Sequence, residues 1–200
     1  EGLKRITEPV DILDRDAFEK ELNELGSLRA KADAIRTRLA KSINTKYQEN
    51  PAYYENFSKR IKEALELYKA RTITEAEYLA KMRDILEDYR TGKSAIAYPD
   101  RIRANVHAQA FYGVLTAIFS NEKLSVEPDF AAEMALDITT IIEKHSQVDW
   151  THNLTIHDRI SQDIDDLFYR YQKEKGLVLS FDVIDMIIEN VKTVALRRFA

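Results

Sequence analysis

The chain has 200 residues, 44% of them hydrophobic, which suits one domain or two closely packed subdomains with a sizeable core. With 5 Gly, 4 Pro and 32% charged residues there is little turn chemistry, and a helical chain is favoured over a sandwich or barrel. No cysteine is present, which excludes disulfides and thiolate-bound metals, and the net charge of −4 means that any nucleic-acid contact must be local.

No secretory leader or apolar run of membrane length is evident, so a cytoplasmic protein without a membrane span is expected. The chain starts at Glu1 without Met and is read as a piece of something longer, with residues 1–26 as a linker or helix and 27–200 as the helical domain. Leu28, Ala32, Ile35, Leu39, Ile43 and Tyr47 follow steps of three and four, which predicts a helix with one apolar stripe. Over residues 27–48 six cations stand against one acid, Asp33, a local charge of +5.

Arg29 and Arg36 fall on one side of the stripe, Lys31 and Arg38 on the other. Two readings stand. Cations beside an apolar seam commonly lay their methylene stems over it and keep their charge in water. Alternatively, guanidinium forks grip DNA phosphates and release counterions, with Arg29, Arg36, Arg38 and Lys41 as the candidates.

Asn50-Pro51 opens a second helix, Asn as cap and Pro at the first helical position. Tyr54, Phe57, Ile61, Leu65 and Tyr68 form its core face. Thr74, Glu77, Ile73 and Tyr78 spell a capping box with a hydrophobic staple, starting a helix that runs to about Arg90 and stops at Thr91-Gly92. Pro99 opens a segment to Phe119 with Val106, Ala110, Phe111, Val114, Leu115, Ile118 and Phe119 inward, a central buried helix. Gly113 inside it costs about 1 kcal/mol against Ala, which close backbone packing would offset.

A further helix is expected over residues 128–145. The lone Trp150 follows in a polar connection and either folds back onto the core, the favoured reading, or waits for a partner as an interface anchor. Thr155 is the expected cap of the next helix, which closes at residues 173–176 and carries Asp163, Asp165 and Asp166, either a docking face or a solvated surface. Over residues 129–169 nine acids meet two bases, a local charge of −7. Ser180 caps a last helix with Lys192, Arg197 and Arg198 near its end, where cations complement the helix dipole. Arg197 and Arg198 form the second candidate DNA-binding cluster. The fold expected is all-α, an irregular bundle of about seven to eight helices.

Catalytic patterns are weak. Gly92-Lys93-Ser94 ends like a phosphate loop, but the position five before Gly92 is Glu87 and a helix precedes it where a strand is required. His157-Asp158, with His107 or His145 and Asp182, can be cast as the metal set of a helical HD-type phosphohydrolase, and a zinc pair at His152 and His157 lacks further ligands. No catalytic, cofactor or metal residue is assigned.

The words ADAIRTRLAKSI, NPAYYENFSKRIKEAL, AEYLAKMRDIL and VDWTHNLTIHDRISQDIDDLF together resemble the C-terminal helical domain of type I restriction enzyme R (HsdR) motor subunits, most of all the IC group. The resemblance runs from about Leu28 to the C-terminus. It implies an all-α part of an ATP-dependent DNA translocase and endonuclease that works with modification (M) and specificity (S) subunits. ATP and Mg are expected for the parent protein, whose nuclease and helicase motifs are absent from this chain, so this piece is expected to be non-catalytic. In the family this part is associated with assembly onto the modification core and with DNA contacts. Trp150, Asp163, Asp165 and Asp166 are then the candidates for partner binding, and double-stranded DNA would be bound weakly and without sequence preference. The rival expectations are the metal-dependent phosphohydrolase and a free-standing helical adaptor.

Overall fold

A computed structural model describes residues 10–93, 95–147 and 149–200 of the chain. The described residues form eight α-helices and no strand: α1 (Arg15–Asn23), α2 (Leu28–Lys46), α3 (Pro51–Lys69), α4 (Glu75–Thr91), α5 (Val106–Asn121), α6 (Pro128–His145), α7 (Leu154–Lys175) and α8 (Phe181–Arg198). They divide into two compact units. One holds residues 10–45 with 56–93 and Ala95; the other holds residues 46–55 with 96–147 and 149–200.

In the first unit, Asp14 caps α1 by accepting from the Ala17 amide at 3.1 Å, and α1 buries Phe18 and Leu22 completely. The predicted stripe of α2 is inside at Ala32, Ile35, Leu39 and Ile43. Its two ends differ from expectation, since Leu28 and Tyr47 remain exposed, Tyr47 because the chain has already left the α-helix for a 3₁₀ turn at Tyr47–Glu49. Phe57 of α3 meets Tyr89 of α4 edge to face at 5.5 Å, and Tyr68 stacks on Tyr78 at 4.7 Å. The capping box is present: Thr74 Oγ1 accepts from the Glu77 amide and Glu77 Oε2 from the Thr74 amide. Gly92 ends α4 with φ of +69°, a left-handed turn that costs glycine nothing.

In the second unit, Asn50 Oδ1 accepts from the Tyr53 amide at 3.2 Å, setting the first turn of α3 behind Pro51. Helix α5 is buried at Ala108 and from Ala110 to Leu115, then at Ile118 and Phe119, as a central helix should be. It packs against α6 and α8. A core shared by α5, α6, α7 and α8 includes Phe111, Met134, Ile138, Ile164, Phe168 and Ile187. Thr139, buried on α6, donates its hydroxyl to the Ala135 carbonyl, so no polar group is stranded there.

Two helix starts lie away from their predicted places. Pro99 precedes only a 3₁₀ turn at Asp100–Ile102, and α5 begins after Asn105, whose Oδ1 accepts from the His107 and Ala108 amides. Val106, expected inside, is therefore the first helical residue and is exposed. Likewise Asn153, not Thr155, caps α7 by accepting from the Thr155 and Ile156 amides. Either residue type satisfies cap chemistry, and the 3₁₀ turn at Trp150–His152 delivers the chain to Asn153 first.

Candidate functional site

Charge divides with the units. The described residues of the first carry 16 Lys and Arg against 14 Asp and Glu, a net +2; those of the second carry 12 against 18, a net −6. The basic surplus of the first unit is concentrated on α2, but not as a bare cationic edge. Arg29 and Arg36 both approach Asp33, at 3.7 and 3.4 Å, and Arg38 donates to Glu21 of α1 at 2.7 Å. Lys41 is exposed and makes no ion pair among the described residues.

These pairs are partly exposed, and such contacts contribute on the order of 0–1 kcal/mol each. A polyanion can therefore exchange with Asp33 at small cost, whereas taking Arg38 leaves the partly buried Glu21 carboxylate without its cation. Glu21 also leaves its second oxygen, Oε2, buried without a hydrogen bond, so its hold on Arg38 is one-pronged. The Glu21 partnership has no signature in the sequence, because α1 reaches α2 across 17 positions with no periodic signal linking them.

Arg197 and Arg198 belong to the second unit and are not equivalent. Arg197 is exposed and donates to Gln48 Oε1 at 2.8 Å. Arg198 is half-buried and turned inward, giving hydrogen bonds to the Glu49 and Val106 carbonyls at 3.1 and 3.0 Å. Burial holds its guanidinium below its ordinary pKa, against the opposing pull of Glu49, Tyr54 and Tyr98. It remains a cation, but one committed to the unit's own backbone.

The acids of α7 also separate. Asp163 is partly buried and accepts from Lys144 Nζ at 2.9 Å and His145 Nε2 at 2.8 Å. With Asp166 it lines a groove of about 340 Å³ between α6 and α7, faced by Asp137, Thr140, Lys144 and Arg170. Asp165 is exposed and sits roughly 200° round the helix from Asp163, so the three acids do not share one face. Across the groove Asp137 accepts from the Tyr171 hydroxyl at 2.7 Å, and burial, then Asp137, pushes that phenol above its ordinary value.

The hydrogen bonds from Lys144 and then His145 hold Asp163 below the usual carboxylate range. A depressed carboxylate contributes stability that is present above its unfolded pKa, about 3.9, and is lost as pH falls through the lower folded value. Asp163→Asn is expected to lower unfolding free energy by about 0.5–1 kcal/mol at pH 7, since solvent screens much of the pair, and to flatten the acid limb. Urea titrations at pH 7 and pH 3 measure both; equal loss at the two pH values would contradict the assignment.

Trp150 is folded onto the core, 3% exposed, with Nε1 donating to the Phe199 carbonyl at 3.0 Å and its ring edge to face with His157 at 5.8 Å. The ring is thus an internal anchor, and its indole N–H is already satisfied. Of the histidines in the phosphohydrolase pattern, His107 is engaged by Arg198 and Phe199 and His145 by Asp163, while His157 packs edge to face on Trp150 and leaves its buried Nε2 without a hydrogen bond among the described residues. Among the described residues no group of three or more His, Asp or Glu is placed to hold a metal ion. Gly92 and Lys93 form the end of α4, Lys93 donating its amide to the Asp88 carbonyl; Ser94 and Val148 lie outside the described residues, as do residues 1–9 of the predicted linker. No described helix is long and apolar enough to cross a membrane.

Neither a curated protein nor a solved structure gives a significant match to the chain. The family described as type I restriction enzyme HindI endonuclease subunit-like, C-terminal, matches residues 3–195, almost the whole sequence, and agrees with the resemblance carried by the helical words of the sequence. This all-α chain belongs to that family of C-terminal domains of type I restriction enzyme endonuclease subunits.

Proposed function

We propose that the chain fastens the motor of a type I restriction-modification R subunit to its modification (M) and specificity (S) subunits, and that it touches duplex DNA along α2 without reading bases. The family match over residues 3–195 carries this reading. The division into a +2 unit and a −6 unit supports it, because an acidic body suits protein docking and a basic one suits phosphate. ATP and Mg would be bound by the rest of the R subunit, and this region contributes binding and geometry.

On this reading the DNA contact uses Arg29 and Arg36, whose shared partner Asp33 is weak enough to be displaced, Lys41, which has no ion pair among the described residues, and Arg38 once it leaves Glu21. Partner docking uses Asp163 and Asp166 at the α6/α7 groove and the exposed Asp165 on a second face of α7, with Trp150 holding the fold beneath. Arg197 supplies an exposed cation to any second DNA contact, whereas Arg198 would first have to leave its carbonyls.

Fluorescence anisotropy with random-sequence duplexes, titrated across salt, tests the DNA contact. Affinity should fall steeply with salt, and Arg36→Ala with Arg38→Ala should weaken binding and reduce the magnitude of the log–log salt slope by about 2, one unit for each phosphate that is no longer neutralised. Unchanged affinity and slope in the double variant would remove α2 from the interface.

A further inference from the structure

The end of α8 is held by a polar cluster that the assembly role does not use. Arg198 spends all three kinds of guanidinium nitrogen inside the second unit: Nη1 on the Glu49 carbonyl, Nη2 on the Val106 carbonyl, and Nε on Nδ1 of His107 at 3.3 Å. His107 in turn lies against the Phe199 ring, centroids 4.4 Å apart, and that ring stacks on Phe111. The Phe199 carbonyl accepts from Trp150 Nε1. Residues 198 and 199 therefore tie the 3₁₀ turn at Tyr47–Glu49, the start of α5 and the Trp150 turn into one joint.

One bond in this joint depends on a proton. An imidazole nitrogen accepts from a guanidinium only while it carries no hydrogen, so His107 is neutral here with its proton on Nε2. A second proton would sit on Nδ1 and point at the Arg198 N–H. The hydrogen bond would become an opposition of two donors and two positive charges.

We propose that His107 and Arg198 form a proton-gated latch, in which the neutral imidazole holds the last turn of α8 in place and its protonation expels the guanidinium and frees residues 197–200. The charged groups around the pair are few. Arg198 faces His107 from α8 and Glu143 faces it from α6, while Glu49, Tyr54 and Tyr98 face Arg198 from the 3₁₀ turn, the start of α3 and the segment before α5.

The direction of the switch follows from the surroundings. Burial first, then Arg198, holds His107 below its ordinary value, and Glu143 only partly opposes them. A histidine depressed in the fold contributes stability above the unfolded value, about 6.5, that is lost as pH falls toward the folded value. The latch is closed at neutral pH and opens on acidification. Opening takes away the acceptor of the Trp150 N–H.

Trp150 is the only tryptophan in the sequence, so its emission reports on the joint in the whole chain. Titration from pH 8 to pH 5 should shift the emission to the red, with a midpoint below about 6.5, while far-UV circular dichroism stays constant. His107→Gln, which keeps an oxygen acceptor for Arg198, should abolish the shift. His152→Gln and His157→Gln, the other imidazoles beside the indole, should leave it in place. Arg198→Ala should be red-shifted already at pH 8.

Hydrogen exchange of the unsubstituted chain gives a reading that needs no variant. After correction for intrinsic rates, amides 196–200 should lose protection by up to about tenfold per pH unit within the window, with α5 and α6 unaffected. A shift that survives His107→Gln, a shift that disappears in the His152 or His157 variant, or unchanged protection of amides 196–200 would each overturn the proposal.

Discussion

Trp150→Ala is expected to lower unfolding free energy by about 3–5 kcal/mol, as large-to-small changes at buried aromatics do. The ring is 3% exposed, and its removal leaves a cavity and a Phe199 carbonyl without its donor. Against a total stability of about 5–15 kcal/mol, the change is severe, and for a chain of this length it corresponds to a fall in Tm of roughly 6–20 °C. Trp150→Phe separates the two contributions, keeping most of the bulk and losing the hydrogen bond for about 1 kcal/mol. Differential scanning calorimetry measures both; a Trp150→Ala protein that melts within about 2 °C of the parent would show that the indole is not an internal anchor.

The second large effect is at Gly113. A Cβ there would lie 2.6 Å from the Ala52 Cβ and 3.7 Å from Asn50 Oδ1, the oxygen that caps α3. Alanine would gain about 1 kcal/mol of helix propensity. Against that, the contact is with a β-carbon fixed to backbone, and overpacking of this kind costs about 1–3 kcal/mol. Gly113→Ala should therefore be net destabilising by up to about 2 kcal/mol, and Gly113→Leu by more, as the larger side chain forces α5 from the start of α3. Adding Ala52→Gly to Gly113→Ala should recover part of the loss, a coupling that a double-mutant cycle in urea reads directly. If Gly113→Ala raises the urea midpoint, the close approach is not what keeps glycine in this buried helix.

What was legible in the sequence was local. The stripe of Ala32, Ile35, Leu39 and Ile43, the Thr74 and Glu77 box, the Gly92 stop, the Asn50-Pro51 start and the Ser180 cap each depend on residues within a turn or two of one another, and the structure has them all. Gly113 was readable as a close-packing glycine because a mid-helix glycine needs a compensating cause, although Ala52 as the neighbour could not be named from spacing. Asn153 and Thr155 offer the same cap chemistry, so spacing alone puts the start of α7 two residues late, and only the preceding 3₁₀ turn decides between them.

Partners distant in sequence were illegible for the same reason. Arg38 and Arg198 look alike as cations on helices, yet one is tied to a carboxylate on α1 and the other to two carbonyls and an imidazole in the unit core. The acids of α7 read as a single run, but helical geometry and the reach of Lys144 and His145 turn Asp163 toward α6 and leave Asp165 on the far side. Trp150 in a polar loop allowed both an internal and an external role, and the carbonyl of Phe199, 49 residues on, is what satisfies its N–H.

The proposed role stands or falls on assembly with the modification core. Size-exclusion chromatography with light scattering, on the 200-residue chain mixed with purified M and S subunits of the same system, tests it most directly. A stable co-eluting complex is expected, and Asp165→Lys with Asp166→Lys should weaken it by at least about tenfold, as misplaced charge at a docking face costs more than about 1.4 kcal/mol. A folded chain that elutes apart from the M and S subunits at micromolar concentration would contradict the assembly role.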